Sequence, residues 1–102
     1  MVVLNRIYTR SGDDGTTSLG SGERRKKYDL RVAAYGTLDE VNAALGIVRL
    51  HTASDAALDA MLGRIQNDIF DVEADLCILD GSKGKGPGGA KLNVTAQQVE
   101  WI

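Results

Sequence analysis

The stretch from Thr37 to His51, TLDEVNAALGIVRLH, decides how this chain is to be read. Leu38, Val41, Leu45 and Val48 recur at spacings of 3, 4 and 3, so on a helix they share one face. Ala44 and Ile47 widen that apolar surface, which suits a helix enclosed in a bundle. Thr37 and Glu40 stand at the T-x-x-E spacing of a capping box, where a hydroxyl and a carboxylate satisfy two orphan backbone N–H groups. The pattern predicts a helix over residues 37–51, with YDLRVAAYG before it as a separate helical turn ended by Gly36.

A second, longer helix follows toward the C-terminus. Ser54 or Asp55 can cap it, and Leu58, Met61, Leu62, Ile65, Ile69, Val72, Leu76 and Leu79 hold one apolar stripe to about Asp80. Asp68, Asp71 and Asp75 line another face; with no histidine nearby they read as a solvated or subunit-facing stripe rather than a metal site. Cys77 falls within the apolar helix and reads as core packing. His51 ends the first helix, where an imidazolium suits the dipole. The run GSKGKGPGGAK at 81–91 breaks both periodicities and reads as a flexible loop. Thr95 and Gln98 make another capping box, opening a third helix over 95–102. Helices that short are unstable alone because nucleation is unfavourable. The sequence is therefore expected to be the front part of a longer protein.

Composition narrows the class. A chain of 102 residues makes one domain, divided here into an arm and loop (1–36), two long helices (37–80), a glycine-rich loop (81–94) and the start of a third helix (95–102). A net charge of −2 argues against a nucleic-acid partner, and no apolar run approaches a membrane span. The N-terminus MVVLNRIYTR lacks a signal-peptide pattern, its first eight residues MVVLNRIY could form a short strand or extended arm, and the one cysteine suits a reducing compartment. A cytoplasmic location is expected.

Upstream of the helices lies IYTRSGDDGTTSLGSGERRKK, residues 7–27, in which glycines at 12, 15, 20 and 22 mark residues 9–27 as loop. Glycines allow close approach of backbone N–H groups to an anion, and serine and threonine hydroxyls add donors. Arg10, Arg24, Arg25, Lys26 and Lys27 can neutralise phosphates; Asp13 and Asp14 can orient those cations, bond a ribose or help hold Mg²⁺ through water. These are the parts of a triphosphate site, although no Walker pattern is present. The residues alone leave two readings: an anion site, or a solvated loop whose acids and bases balance.

The order of residues is more specific. YTRSGDDGTTSLGSGERRKK followed by RVAAYGTLDEVNAALG resembles the N-terminal half of the PduO-type ATP:corrinoid adenosyltransferases, whose members open with T-[KR]-[TS]-G-D-x-G-x-[TS]-x-L and continue, after a basic stretch, with A-Y-G-x-[VL]-D-E-[LV]-N. The likeness extends through RIQNDIFDVEADL to about residue 76.

The resemblance implies an all-α fold, an antiparallel ferritin-like bundle of five helices, assembled as a homotrimer with sites between subunits. It implies transfer of the 5′-deoxyadenosyl group of ATP to the cobalt of cob(I)alamin, giving adenosylcobalamin and triphosphate, with Mg²⁺ accompanying the triphosphate. Such a displacement needs positioning and charge stabilisation rather than a protein nucleophile. Carried over by position, ATP contacts fall on Thr9, Arg10, Ser11, Gly12, Thr17 and Lys27, with Asp13 and Gly15 shaping the loop. Asp39 stands where relatives pair a carboxylate with an arginine of a neighbouring subunit; Asn42 and Gly46 continue its stripe on the corrinoid side. A cobalamin reductase or a cobalamin-dependent enzyme is an implied further partner. Relatives complete the site with an arginine-rich segment on later helices, which this sequence does not include. The alternative is a non-catalytic, oligomeric, helical protein that binds ATP or a corrinoid.

Overall fold

A computed structural model describes residues 5–79 and 94–101. Residues 1–4 of the strand or arm expected over 1–8, the glycine-rich run at 81–91 and Ile102 lie outside the described residues; residues 5–8 form no strand. The fold is mostly helical, with one small sheet that the all-α expectation missed. Strands β1 (Thr16–Ser18) and β2 (Arg24–Lys26) pair antiparallel, and helices α1 (Leu30–Arg49), α2 (Ala56–Cys77) and α3 (Ala96–Trp101) follow.

The strands correct the reading of residues 9–27 as loop. Their register sets Thr16 opposite Lys26, Thr17 opposite Arg25 and Ser18 opposite Arg24. Leu19 donates its N–H to Glu23 (2.8 Å) and Gly22 donates to Leu19 (2.8 Å), closing the turn, with Gly22 at φ +89°. Three-residue strands carry too little period-2 signal to show against so many glycines.

Helix α1 begins seven residues ahead of the predicted start. Asp29 caps it, its Oδ1 accepting from the N–H of Arg31 at 2.8 Å. Thr37 is therefore interior, and its hydroxyl donates back to the Ala33 carbonyl at 2.8 Å instead of forming the expected box with Glu40. Gly36 does not end the helix. It has no neighbour within 4 Å of a built Cβ, and a glycine inside a helix costs only about 1 kcal/mol.

Helix α2 starts at Asp55, one of the two expected caps, which accepts from Leu58 N–H at 3.0 Å. The two helices run antiparallel, with Arg31 bonded to Leu76, Gln66 to Asn42 and Arg49 to Asp59. The face of α1 turned toward α2 is thus Arg31, Tyr35, Leu38, Asn42, Leu45 and Arg49, all half-buried. The predicted apolar face splits: Leu38 and Leu45 belong to this seam, whereas Val41 and Val48 remain 44% and 46% exposed on its flank. Among the described residues, the buried apolar side chains are Leu62 and Ile69 of α2 and Leu19 of the hairpin. Burying each such side chain contributes about 1.5–3 kcal/mol.

Helix α3 carries the capping box expected of it. Gln98 N–H donates to Thr95 Oγ1 (3.2 Å) and Thr95 N–H donates to Gln98 Oε1 (3.0 Å). The Asp68, Asp71 and Asp75 stripe is where this segment docks, which corrects its reading as a solvated or subunit-facing face. Gln98 Nε2 donates to Asp68 Oδ1 and Asp71 Oδ2, both at 3.1 Å, and Val94 N–H donates to Asp75 Oδ2 at 3.0 Å. Among the described residues no helix is long and apolar enough to cross a membrane.

Candidate functional site

Residues 9–15 form a chain of tight turns held against the β1–β2 hairpin. Arg10 adopts φ +58°, uncommon for a residue with a Cβ, and its guanidinium lies 5.2 Å from the centroid of the Tyr8 ring. Asp13 N–H donates to the Arg10 carbonyl and Gly15 N–H to the Gly12 carbonyl, each at 3.2 Å. Gly15, at φ +84°, then turns the chain into β1, and its carbonyl accepts from Lys27 N–H at 2.9 Å. The hydroxyls of Thr9 and Ser11 sit 2.9 Å apart.

These contacts bring the end of the basic run back over the start of the loop. Lys27 Nζ lies 3.2 Å from the point a Cβ on Gly12 would occupy, and the Thr16 carbonyl lies 3.1 Å from it. Any side chain at residue 12 would crowd the ammonium. Thr9, Ser11, Gly12 and Lys27 thus form one exposed rim of hydroxyl, main chain and cation, with Asp13 beside it.

Two of the other cations, Arg24 and Arg25, have internal duties. Arg25 is bound by Glu23 (2.8 Å) and Asp29 (3.3 Å), and both partners hold its guanidinium above the usual arginine value. Arg24 donates through Nη1 to Ser18 Oγ (3.0 Å) and through Nη2 to the Ser11 carbonyl (2.7 Å) and to Thr16 Oγ1. Asp14 Oδ1 accepts from Thr16 N–H (3.0 Å) and Thr16 Oγ1 (2.7 Å), and the Thr16 bonds, with Arg24 at 3.7 Å, hold its carboxyl below the usual range. The D-x-T spacing was the available sequence signal for that turn. Thr17 faces the Arg25 side of the hairpin, opposite Thr16, Ser18 and Arg24.

The expected corrinoid-side residues lie on α1, and no hydrogen bond or ion pair among the described residues links them to the loop. Asp39 is exposed and near Glu73 of α2. Burial first, and then the Asp39 charge, push the Glu73 carboxyl upward, and Glu73 Oε1 is buried without a hydrogen-bond partner among the described residues. Asn42 accepts from Gln66 Nε2 through its carbonyl (3.0 Å), while its Oδ1 is likewise buried without a partner. Gly46 lies 3.5 Å from Gln66 Nε2 when a Cβ is built on it, an ordinary contact. Cys77 is half-buried rather than core: it receives the hairpin through Gly20. Sequence reasoning missed Glu73, Gly20 and the bracing role of Arg24, because each depends on a partner distant in the chain or across the hairpin. Among the described residues no three His, Cys, Asp or Glu side chains converge to hold a metal.

Comparison with known proteins gives this geometry a family. Residues 7–102 match the family described as cobalamin adenosyltransferase. The corrinoid adenosyltransferase PduO of Salmonella typhimurium is 50% identical over 93 residues, which is 91% of this chain and 26% of that protein. A corrinoid adenosyltransferase of Mycobacterium leprae is 39% identical over 97 residues, 95% of this chain and 51% of that protein. Among solved structures, a variant PduO-type ATP:corrinoid adenosyltransferase from Lactobacillus reuteri, complexed with cobalamin and ATP, superposes with a TM-score of 0.69 at 34% identity, covering 76% of this chain and 44% of that one. The chain spans about half or less of the length of these relatives. With the family match running from residue 7 through α3, the chain belongs to the cobalamin adenosyltransferase family.

Proposed function

We propose that this chain carries the triphosphate-binding part of an enzyme that transfers the 5′-deoxyadenosyl group of ATP to the cobalt of cob(I)alamin, releasing triphosphate. The observation that carries the reading is the approach of the Lys27 ammonium to the side-chain-free Gly12, beside the hydroxyls of Thr9 and Ser11. Backbone N–H groups and a point cation are what a phosphate chain requires. In this reading Thr9, Arg10, Ser11, Gly12, Thr17 and Lys27 contact ATP, and Asp13 and Gly15 shape the loop. Asp14 is engaged with Thr16 and Arg24, so Mg²⁺ is held chiefly by phosphate oxygens and water. The residues bind and orient, and the leaving triphosphate gains stability from the fixed donors around it.

Asp39 and Asn42 face the corrinoid side. The Asp39 charge acts on the Glu73 carboxyl, and two such like charges favour an external cation, in keeping with an arginine supplied by a neighbouring subunit. The exposed Val41, Ile47, Val48 and Phe70 support a larger assembly, which we take to be the five-helix bundle and homotrimer of the family. Single-domain organisation and a cytoplasmic setting, with a cobalamin reductase or cobalamin-dependent enzyme as partner, complete the proposal.

The test is an anaerobic reaction with ATP, Mg²⁺ and chemically reduced cob(I)alamin, following loss of the cob(I)alamin absorbance band, alongside calorimetric titration of ATP. Wild type is expected to bind ATP, and Lys27→Ala to bind it at least about tenfold more weakly. Equal ATP affinity in the two would overturn the placement of triphosphate at this loop. ATP binding without adenosylcobalamin would make the chain a binder, against the catalytic reading.

A further inference from the structure

Among the described residues, Arg24 is the loop cation with the most hydrogen-bond partners. Its Nη1 donates to Ser18 Oγ at 3.0 Å, and its Nη2 donates both to the Ser11 carbonyl at 2.7 Å and to Thr16 Oγ1, with Asp14 Oδ1 3.7 Å away. Both terminal nitrogens are thereby turned inward, between the loop and β1. We infer that Arg24 is a positioning residue: it fixes the Ser11–Gly12 peptide so that the loop is already shaped to receive phosphate, and it does not itself touch ATP.

A trans peptide is planar, and its C=O and N–H point to opposite sides. With the Ser11 oxygen drawn to Arg24, the Gly12 N–H is directed away from that guanidinium and is available as a donor. Gly12 is also the residue over which the Lys27 ammonium sits. The same clamp restrains the turn next to Arg10, whose φ of +58° is otherwise disfavoured. A lysine would not substitute. Its single ammonium, on a flexible stem, lacks the planar fork that reaches Ser11, Thr16 and Ser18 together. A charge that met phosphate directly would tolerate that exchange far better.

This inference rests on the ATP reading of the loop, and the test separates the two. Backbone-labelled wild-type chain, Arg24→Lys and Arg24→Gln are compared by amide NMR, by titration with ATP and Mg²⁺, and by thermal melting. The Gly12 amide resonance is expected to shift in both variants before ATP is added. Both are expected to lose ATP affinity by a similar factor, about tenfold. Thr16→Val, which removes one acceptor and leaves the guanidinium, guards against a variant that fails to fold and is expected to move the same resonance less. If Arg24→Lys binds ATP like wild type while Arg24→Gln does not, Arg24 is a phosphate contact and the inference is wrong. It is also wrong if wild type binds ATP with a response at Gly12 and the variants match it. No response of the wild-type Gly12 amide to ATP would overturn the loop reading itself, and this inference with it.

Discussion

Gly20 donates its backbone N–H to both the carbonyl oxygen (2.8 Å) and the sulfur (3.0 Å) of Cys77, fastening the tip of the β1–β2 hairpin to the end of α2. Leu19, next to the joint, is 3% exposed, and Arg31 Nη1 reaches the Leu76 carbonyl at 2.9 Å on the same helix end. The hairpin, and with it the loop at residues 9–15, is tied to the helices through this joint.

A methyl at residue 20 would lie 3.1 Å from Cys77 Sγ, 3.2 Å from Ile78 Cγ1 and 3.3 Å from the Cys77 carbonyl. Gly20→Ala should therefore destabilise the chain by about 1–3 kcal/mol, the usual range for overpacking. Hairpin amides should exchange hydrogen faster than those in the middle of α2. Cys77→Ala removes the nearest obstruction, so the double variant should recover part of the loss. Additive losses in a denaturant cycle would show that the thiol is not what the methyl strikes.

At the other end of the helix pair, Arg49 holds Asp59 with two bonds of 3.0 Å and donates to Gln66 Oε1 at 3.0 Å, while Thr52 donates to Asp59 at 2.7 Å. Arg49 first, then Thr52, lower the Asp59 carboxyl from 3.8 to about 2. The folded state thus binds this proton less readily than the unfolded chain. The stabilisation is complete above the unfolded value and disappears as pH falls through the folded one. Thermal melting should decline between about pH 4 and pH 2, and Asp59→Asn should flatten that decline while lowering the neutral-pH melting temperature by a few degrees. Both partners are about one-third exposed, so salt should weaken the effect. An unchanged acid limb in Asp59→Asn would assign it to other carboxylates.

Glu73 gives the opposite slope. Burial and the Asp39 charge raise its carboxyl, so the folded state holds its proton more tightly and ionisation of Glu73 at neutral pH works against folding. Glu73→Gln removes that charge at nearly constant volume and should stabilise the chain at pH 7 by on the order of 1 kcal/mol. The gain should shrink as the pH is lowered through the Glu73 range. If the carboxylate pair instead serves an external cation, the gain will come with weaker association between chains, readable by sedimentation. No stabilisation at any pH would mean that Glu73 is better solvated than its buried Oε1 indicates.

The second helix, its Asp55 cap and the Thr95–Gln98 box were legible in the sequence because each signal is local, a cap followed by a periodic run. The start of α1 was misread for a local reason too: Thr37 and Glu40 mimic a box, while the true cap, Asp29, precedes a helix containing Gly36. The hairpin was hidden by strands of three residues. Which of the basic residues are bound internally depends on register: Arg24 and Arg25 point to opposite faces of β2, and only the fold shows that both are engaged. The resemblance marked Lys27 out, and the approach of its ammonium to Gly12 adds a geometric reason for that choice. Glu73 had no sequence signal, because its meaning comes from Asp39 on another helix.

The docking of α3 offers a last prediction. Six residues do not make a stable helix alone, so α3 must draw on its contacts with α2. Those contacts are polar and converge on one side chain: Gln98 caps the helix through Oε1 and spans Asp68 and Asp71 through Nε2. The Arg64 guanidinium, 3.6 Å from the Trp101 ring centroid, adds a cation–π contact at the far end. Gln98→Ala removes the side-chain half of the capping box and both bridges together, leaving only the Thr95 hydroxyl on the residue-98 N–H, and should release α3 while α1 and α2 keep their helicity. Gln98→Glu keeps the capping acceptor but sets a third carboxylate against Asp68 and Asp71, so it should release α3 at neutral pH and let it dock again in acid. Trp101 fluorescence follows both, since separation from Arg64 changes the environment of the only tryptophan in the sequence. Equal, pH-independent spectra in wild type and Gln98→Glu would show that Trp101, rather than the polar ladder, anchors the helix.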